Sequence, residues 1–196
     1  MFEDLVREKE KELLQNNLND LRENINNSDY KTKIENYSQK FNFNPDEVKA
    51  QILSNDLVAS FFIKEPAKQN FTEKLVSSLL KTTVLPQSGK SCIRFTETGD
   101  IVSKKDSNTS KSADFHINTT YITQKYTRGN GGAQDNQYND VVDFLIKGSK
   151  HHKVAAIVDG SFWDEKRKEL REFFHDNPNV KISSMDEVLN GVIRFD

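Results

Sequence analysis

Leu14, Leu18, Leu21 and Ile25 recur four, three and four residues apart, with Glu and Lys on the other faces, and this spacing predicts an amphipathic helix over residues 3–25. An Asn-rich break from Asn24 to Asp29 ends it, and a second helical stretch is expected from Tyr30 to Phe41. Asn44-Pro45-Asp46-Glu47 has the form of a cap followed by proline at the first helical position, opening a short helix through Leu53. Leu57 to Lys64 is apolar and expected to be buried. Lys64-Glu65-Pro66-Ala67-Lys68-Gln69 interrupts the pattern, and Asn70-Phe71-Thr72-Glu73 restarts it as a helix to Thr82.

After the turn Pro86-Gln87-Ser88-Gly89-Lys90 the period shortens. Ile93-Arg94-Phe95 and Asp100-Ile101-Val102 alternate as strands around Thr98-Gly99, and a polar loop runs from Ser103 to Ser112. Ala113–Asn118 and Thr119–Thr127 predict two further strands, and a Gly-rich elbow, Gly129-Asn130-Gly131-Gly132, leads into a helix over 135–147. Val154–Val158 is continuously apolar, as a buried central strand is. A helix over 164–175 with Leu170, Phe173 and Phe174 as its apolar face, a strand over 180–183 and a small helix over 185–189 complete the order. Helices followed by β-β-β-β-α-β-α-β predict an α/β domain, a mixed central sheet flanked by helices, with an N-terminal helical extension. The expected boundaries are 1–56 for the extension and 57–196 for the core, the two forming one compact unit.

At 196 residues, 35% hydrophobic and with 13 Phe, the chain can build one well-buried core. No window approaches the roughly 18 apolar residues of a membrane span, so no membrane partner is expected. Met1-Phe2-Glu3-Asp4 is acidic where a secretory signal is positive and then apolar. Cys92 is the single cysteine, which excludes an internal disulfide and a Cys-based zinc cluster, and a reducing cytoplasm is the expected compartment. The formal net charge of -2 points to no polyanionic partner, yet between Leu85 and Asn130 seven Lys/Arg face four acids. That local excess is permissive of DNA.

Candidate chemistry concentrates between Ser112 and Phe144. Asp114 begins one strand and Lys125 sits in the next; positions 123 and 125 differ by two and leave one strand face. A metal-dependent phosphodiesterase needs carboxylate oxygens to hold Mg²⁺ against the scissile phosphate, and gains from a cation near the attacking water and the developing charge.

Asp114, a hairpin, and x-x-Lys at 123–125 resemble the core of the PD-(D/E)XK nucleases, type II restriction endonucleases in particular. Lys64-Glu65-Pro66-Ala67-Lys68-Gln69-Asn70-Phe71-Thr72-Glu73 resembles the segment that many such enzymes carry before their first core helix, whose glutamate often lies near the metal. Lys125-Tyr126-Thr127-Arg128 and then Gly131-Gly132-Ala133-Gln134-Asp135-Asn136-Gln137 resemble the run that follows their lysine. The likeness covers residues 53 to 160, a little over half the chain. It implies a restriction-endonuclease-like fold and a Mg²⁺-dependent, sequence-specific cut in double-stranded DNA. In that scheme Asp114 holds Mg²⁺ with Glu73 in support, Thr123 offers its carbonyl, and Lys125 orients the water.

The departure is Thr123, where the family carries Glu or Asp. Three accounts stand open. Gln124 substitutes, which strand alternation allows only through a bulge. Alternatively the acid has moved to the following helix, where Asp140, 15 positions after Lys125, is the nearest candidate. The third account is that catalysis is lost and DNA binding remains.

Expected DNA contacts are Arg128, Asn130, Gln134, Asn136 and Gln137 near the elbow, with Lys104 and Lys105 in the polar loop. Asn and Gln suit adenine edges and Arg suits guanine, while Gln134, Asn136 and Gln137 serve equally as caps of the helix start. The elbow lacks the Gly-Lys-Ser/Thr ending of a P-loop, so no nucleotide cofactor is expected. His116 shares a strand face with Asp114 and suits a structural role better than a ligand or base role; His151-His152 is expected at the surface, and Asp159 as a turn former. Rival readings are a DNA-binding module with a dead nuclease core, a repair or junction-resolving nuclease that reads DNA shape, and a protein-interaction domain. Cutting both strands of a palindrome calls for two active sites about a two-fold axis, so a homodimer is expected. Gel filtration should show a dimer with or without duplex DNA; a monomer in both states would argue against that geometry.

Overall fold

A computed structural model of the chain describes residues 1–66, 71–129 and 134–195. It divides into two compact units, residues 4–71 and residues 1–3 with 72–196.

The helical unit contains most of α1 (Phe2–Glu23), α2 (Ser28–Phe41), α3 (Pro45–Ser54) and α4 (Asp56–Ser60). Asparagine side chains start three of these helices: Asn27 accepts the Tyr30 N–H, Asn44 that of Asp46 ahead of Pro45, and Asn55 those of Leu57 and Val58. The core joins Leu18, Leu21 and Ile25 to Ile34, Val48, Ile52, Ala59 and Phe62. The last two explain why this unit runs to Phe71, past the boundary that pattern alone places after residue 56: α4 and its turn complete the helical core. Leu57 and Phe61, expected inside, are 71% and 69% exposed. A single helical turn buries one side only, and here Ala59 and Phe62 take it.

The second unit opens with α5 (Phe71–Leu80) and holds a two-stranded ladder, β1 (Arg94–Phe95) with β2 (Ile101–Val102). Its main sheet has the order β3 (Phe115–Ile117), β4 (Thr120–Tyr126), β5 (Lys153–Asp159), β6 (Val180–Ser183). β3 and β4 run antiparallel; β4, β5 and β6 run parallel, linked by the crossover helices α6 (Gln134–Gly148) and α7 (Trp163–Phe173). The short α8 (Met185–Leu189) follows. The fold is thus mixed α/β, a four-stranded mixed sheet flanked by helices, as the order of elements predicts.

Val154, Ala156 and Val158 pack with Val141, Phe144 and Leu145 of α6 and with Trp163 and Leu170 of the α7 side. Every residue of β5 after Lys153 is buried, which accounts for its unbroken apolar run. Phe173 departs from its expected place: it is 65% exposed, and Phe174 takes the core position. Gly160 ends β5 at φ +98°, where an added Cβ would strike the Thr127 backbone.

Asp159, expected as a turn former, is a buried acceptor. Its two carboxylate oxygens receive the Met185 N–H, each at 3.1 Å. Burial pushes its pKa up to about 7, Arg167 and the Met185 N–H opposing and Asp186 and Glu187 adding. A folded-state value above the unfolded 3.8 means that the folded chain holds this proton longer. Stability owed to Asp159 is therefore greatest in acid and falls as the pH rises from about 4 to about 7. Urea titrations across that range should show Asp159→Asn gaining on the wild type with rising pH and running parallel to it above pH 7; parallel curves throughout would refute the buried-proton account.

Candidate active site

Asp114 lies one position before β3, and its backbone N–H bonds the Ile122 carbonyl at 2.8 Å. Phe115 faces Ile122 across the ladder, so Asp114 stands opposite Thr123. β4 pairs with β5 in unbroken register from Thr120 to Tyr126, so Thr123 and Lys125 leave one face while Gln124 leaves the other. Two adjacent strands thereby bring Asp114, Thr123 and Lys125 to one point.

The Asp114 carboxylate is 2% exposed and dense with donors. Its Oδ2 accepts the Gln124 backbone N–H at 2.6 Å, the Thr123 hydroxyl at 3.2 Å and the Lys125 ammonium at 3.5 Å. Its Oδ1 accepts the Gln87 amide at 3.0 Å. A carboxylate oxygen has about two acceptor directions. Three donors from the chain therefore saturate Oδ2. Lys125 is 24% exposed, half in and half out of the site.

Glu73, in the first turn of α5, is half-buried. Burial raises its pKa above the usual glutamate range; the Asp114 charge adds to the rise and the Lys125 charge opposes it. The Asp114 charge thus adds to the cost of charging Glu73, and the Lys125 charge offsets it. Among the described residues no group of three or more His, Cys, Asp or Glu side chains is placed to hold a metal ion. Mg²⁺ asks for less: it binds through one or two carboxylates, substrate phosphate and waters. Asp114 and Glu73 are two carboxylates of the kind such a demand requires.

The other candidates divide. Asp140 pairs with Lys111 at 3.7 Å, and no hydrogen bond or ion pair links it to Asp114, Thr123 or Lys125. Gln124 shows no bulge; its backbone serves Asp114 while its buried side-chain amide nitrogen has no partner. Arg128 lies over the Tyr126 ring and donates to its hydroxyl. Gln134 donates to the Gly129 carbonyl, and Gln137 accepts the Thr127 hydroxyl at 2.6 Å, so both amides bond the segment that follows β4. Asn136, Lys104 and Lys105 are exposed. Asn130, with the neighbouring 131–133, lies outside the described residues, as do 67–70. His116 stacks on Tyr121 at 4.3 Å, and His152, expected at the surface, packs on Phe95 at 5.4 Å.

Two site residues carried no signal in the sequence. Gln87 lies in what reads as a simple turn, yet it donates to Asp114 and accepts the Ser112 hydroxyl at 2.9 Å. Arg94 holds the Gln87 carbonyl at 3.0 Å from behind. Contacts at a separation of 27 residues leave no local trace.

No family model matches the chain, and neither a curated protein nor a solved structure matches it significantly.

Asp114→Ala should strip an acceptor from the Gln124 N–H, the Thr123 hydroxyl and the Lys125 ammonium together. Breaking a buried charged network of this kind costs about 3 kcal/mol. Urea unfolding should show a loss of that order, whereas a loss under about 1 kcal/mol would mean that water or relaxation replaces the carboxylate.

Proposed function

We propose that this chain is a Mg²⁺-dependent endonuclease that hydrolyses phosphodiester bonds in double-stranded DNA, in the manner of a type II restriction enzyme. One observation carries the reading: a buried carboxylate, Asp114, faces Lys125 across adjacent strands, with Glu73 close enough to have its ionisation disfavoured. The order α5, hairpin, α6, β5 supports it, since it sets these groups in the sequence order that the nuclease resemblance implies. Specific cleavage by a homodimer belongs to the same proposal.

Asp114 and Glu73 would hold Mg²⁺, which when bound polarises the scissile phosphate and lowers the pKa of a coordinated water. The chain's own groups do the rest. The Gln124 N–H and the Thr123 hydroxyl fix Asp114 in one orientation, and Gln87 steadies its other oxygen. The Lys125 ammonium, tethered on its strand at the mouth of the site, orients a nucleophilic water and offsets charge that grows on the phosphate. Thr123 contributes position where its counterparts contribute charge, so Asp114 and Glu73 would be the carboxylates left to hold the cation.

A second reading has its own support. The direct Lys125–Asp114 pair, closed by Thr123, satisfies its charges without a metal. In that form the chain binds DNA and does not cut it.

Incubation with long mixed-sequence duplex DNA separates the two. Discrete fragments with Mg²⁺ and none with EDTA are expected, and Asp114→Asn or Lys125→Ala should lower the rate at least about 100-fold. Asp140→Asn should cut at the wild-type rate if Glu73 supplies the second carboxylate, and its inactivity would return that role to Asp140. Intact DNA under every metal condition, with binding retained, would establish the second reading.

A further inference from the structure

A cavity of about 530 Å³ is lined by Gln87, Lys90, Arg94, Ser103, Lys104 and Lys105 among others. Its lining residues include no acid. Arg94 is 7% exposed; its terminal nitrogens donate to the carbonyls of Ser110 at 3.1 Å and Gln87 at 3.0 Å. Its Nε is buried without a partner. Carbonyl oxygens align a guanidinium but bring no net negative charge.

An arginine cannot relieve burial by losing its proton, so a buried guanidinium without a carboxylate keeps its charge and its desolvation penalty. Three lysines on the same cavity add to the positive potential. Asp106, next to Lys105 in sequence, accepts the Asn108 N–H and the Ser107 hydroxyl and offsets part of the Lys104 charge. Such a constellation matches a tetrahedral oxyanion, whose oxygens the planar guanidinium and mobile ammonium groups engage together.

We propose that this cavity is a phosphate-binding subsite, with Arg94 as its fixed anchor and Lys90, Lys104 and Lys105 as its closing groups. Gln87 joins it to the chemistry: its carbonyl is held by Arg94 and its amide by Asp114. A phosphate seated in the cavity is thereby held in register with the Asp114 carboxylate. Resting on the nuclease reading, the occupant is a backbone phosphate of the bound duplex away from the scissile bond; a free phosphate or phosphomonoester shares the same chemistry.

Two measurements test the subsite, on wild type, Arg94→Gln and the exposed double variant Lys104→Gln/Lys105→Gln, the last covering the case in which Arg94→Gln fails to fold. Thermal unfolding with inorganic phosphate against chloride at fixed ionic strength should raise the wild-type Tm and leave the variants unmoved. Duplex affinity against salt should lose about one unit of log–log slope for each phosphate contact removed. Phosphate stabilisation with a reduced slope supports the backbone phosphate. Phosphate stabilisation with an unchanged slope supports the subsite and assigns it a free phosphate. Neither effect overturns it, and Mg²⁺-dependent cleavage by the wild type would then still stand. Failure of the nuclease reading shows differently, as uncut DNA with the phosphate response intact.

Discussion

The 2.6 Å hydrogen bond from the Gln124 backbone N–H to Asp114 Oδ2 joins the sheet to its candidate chemistry. A backbone donor cannot swing away as a side chain does, so Asp114 is fixed to the register of β4. That register is itself pinned on both sides, by the antiparallel ladder to β3 and the parallel ladder to β5. A slip of one residue would send Thr123 and Lys125 to the opposite face and put Gln124 beside Asp114. The crossover helix α6 and the fully buried β5 oppose such a slip with the whole apolar core of the unit.

Charge is distributed unevenly about that point. Asp114 is surrounded by donors, Lys125 among them, and Glu73 is discouraged from ionising. Among the described residues, the buried positive charge of Arg94 meets the carbonyl oxygens of Ser110 and Gln87. Gln87 links the two, its amide on Asp114 and its carbonyl on Arg94. Thr123 modifies this arrangement more than it breaks it, because its hydroxyl orients the acid that remains.

Much of the fold is legible in the chain because its signals are local. The period of 3.6 in α1, the Asn44-Pro45 start of α3 and the apolar run of β5 each arise from residues within a few positions of one another. The failures have a common cause too. Leu57, Phe61 and Phe173 are apolar residues whose burial depends on which neighbour occupies the adjacent core position, and Ala59, Phe62 and Phe174 occupy it. The limit of the helical unit at Phe71 follows from packing of the same kind.

By itself the sequence determined the element order, the α/β class, and the pairing of Asp114 with Lys125 as the place to look, since strand alternation and hairpin length dictate that neighbourhood. Only tertiary structure decided that Gln124 serves Asp114 through its backbone and that Asp140 pairs with Lys111. It also decided that Gln87 and Arg94, from a turn and a short strand, belong to the same network. Those facts depend on how segments far apart along the chain meet, and no local period encodes where a distant side chain will find its partner.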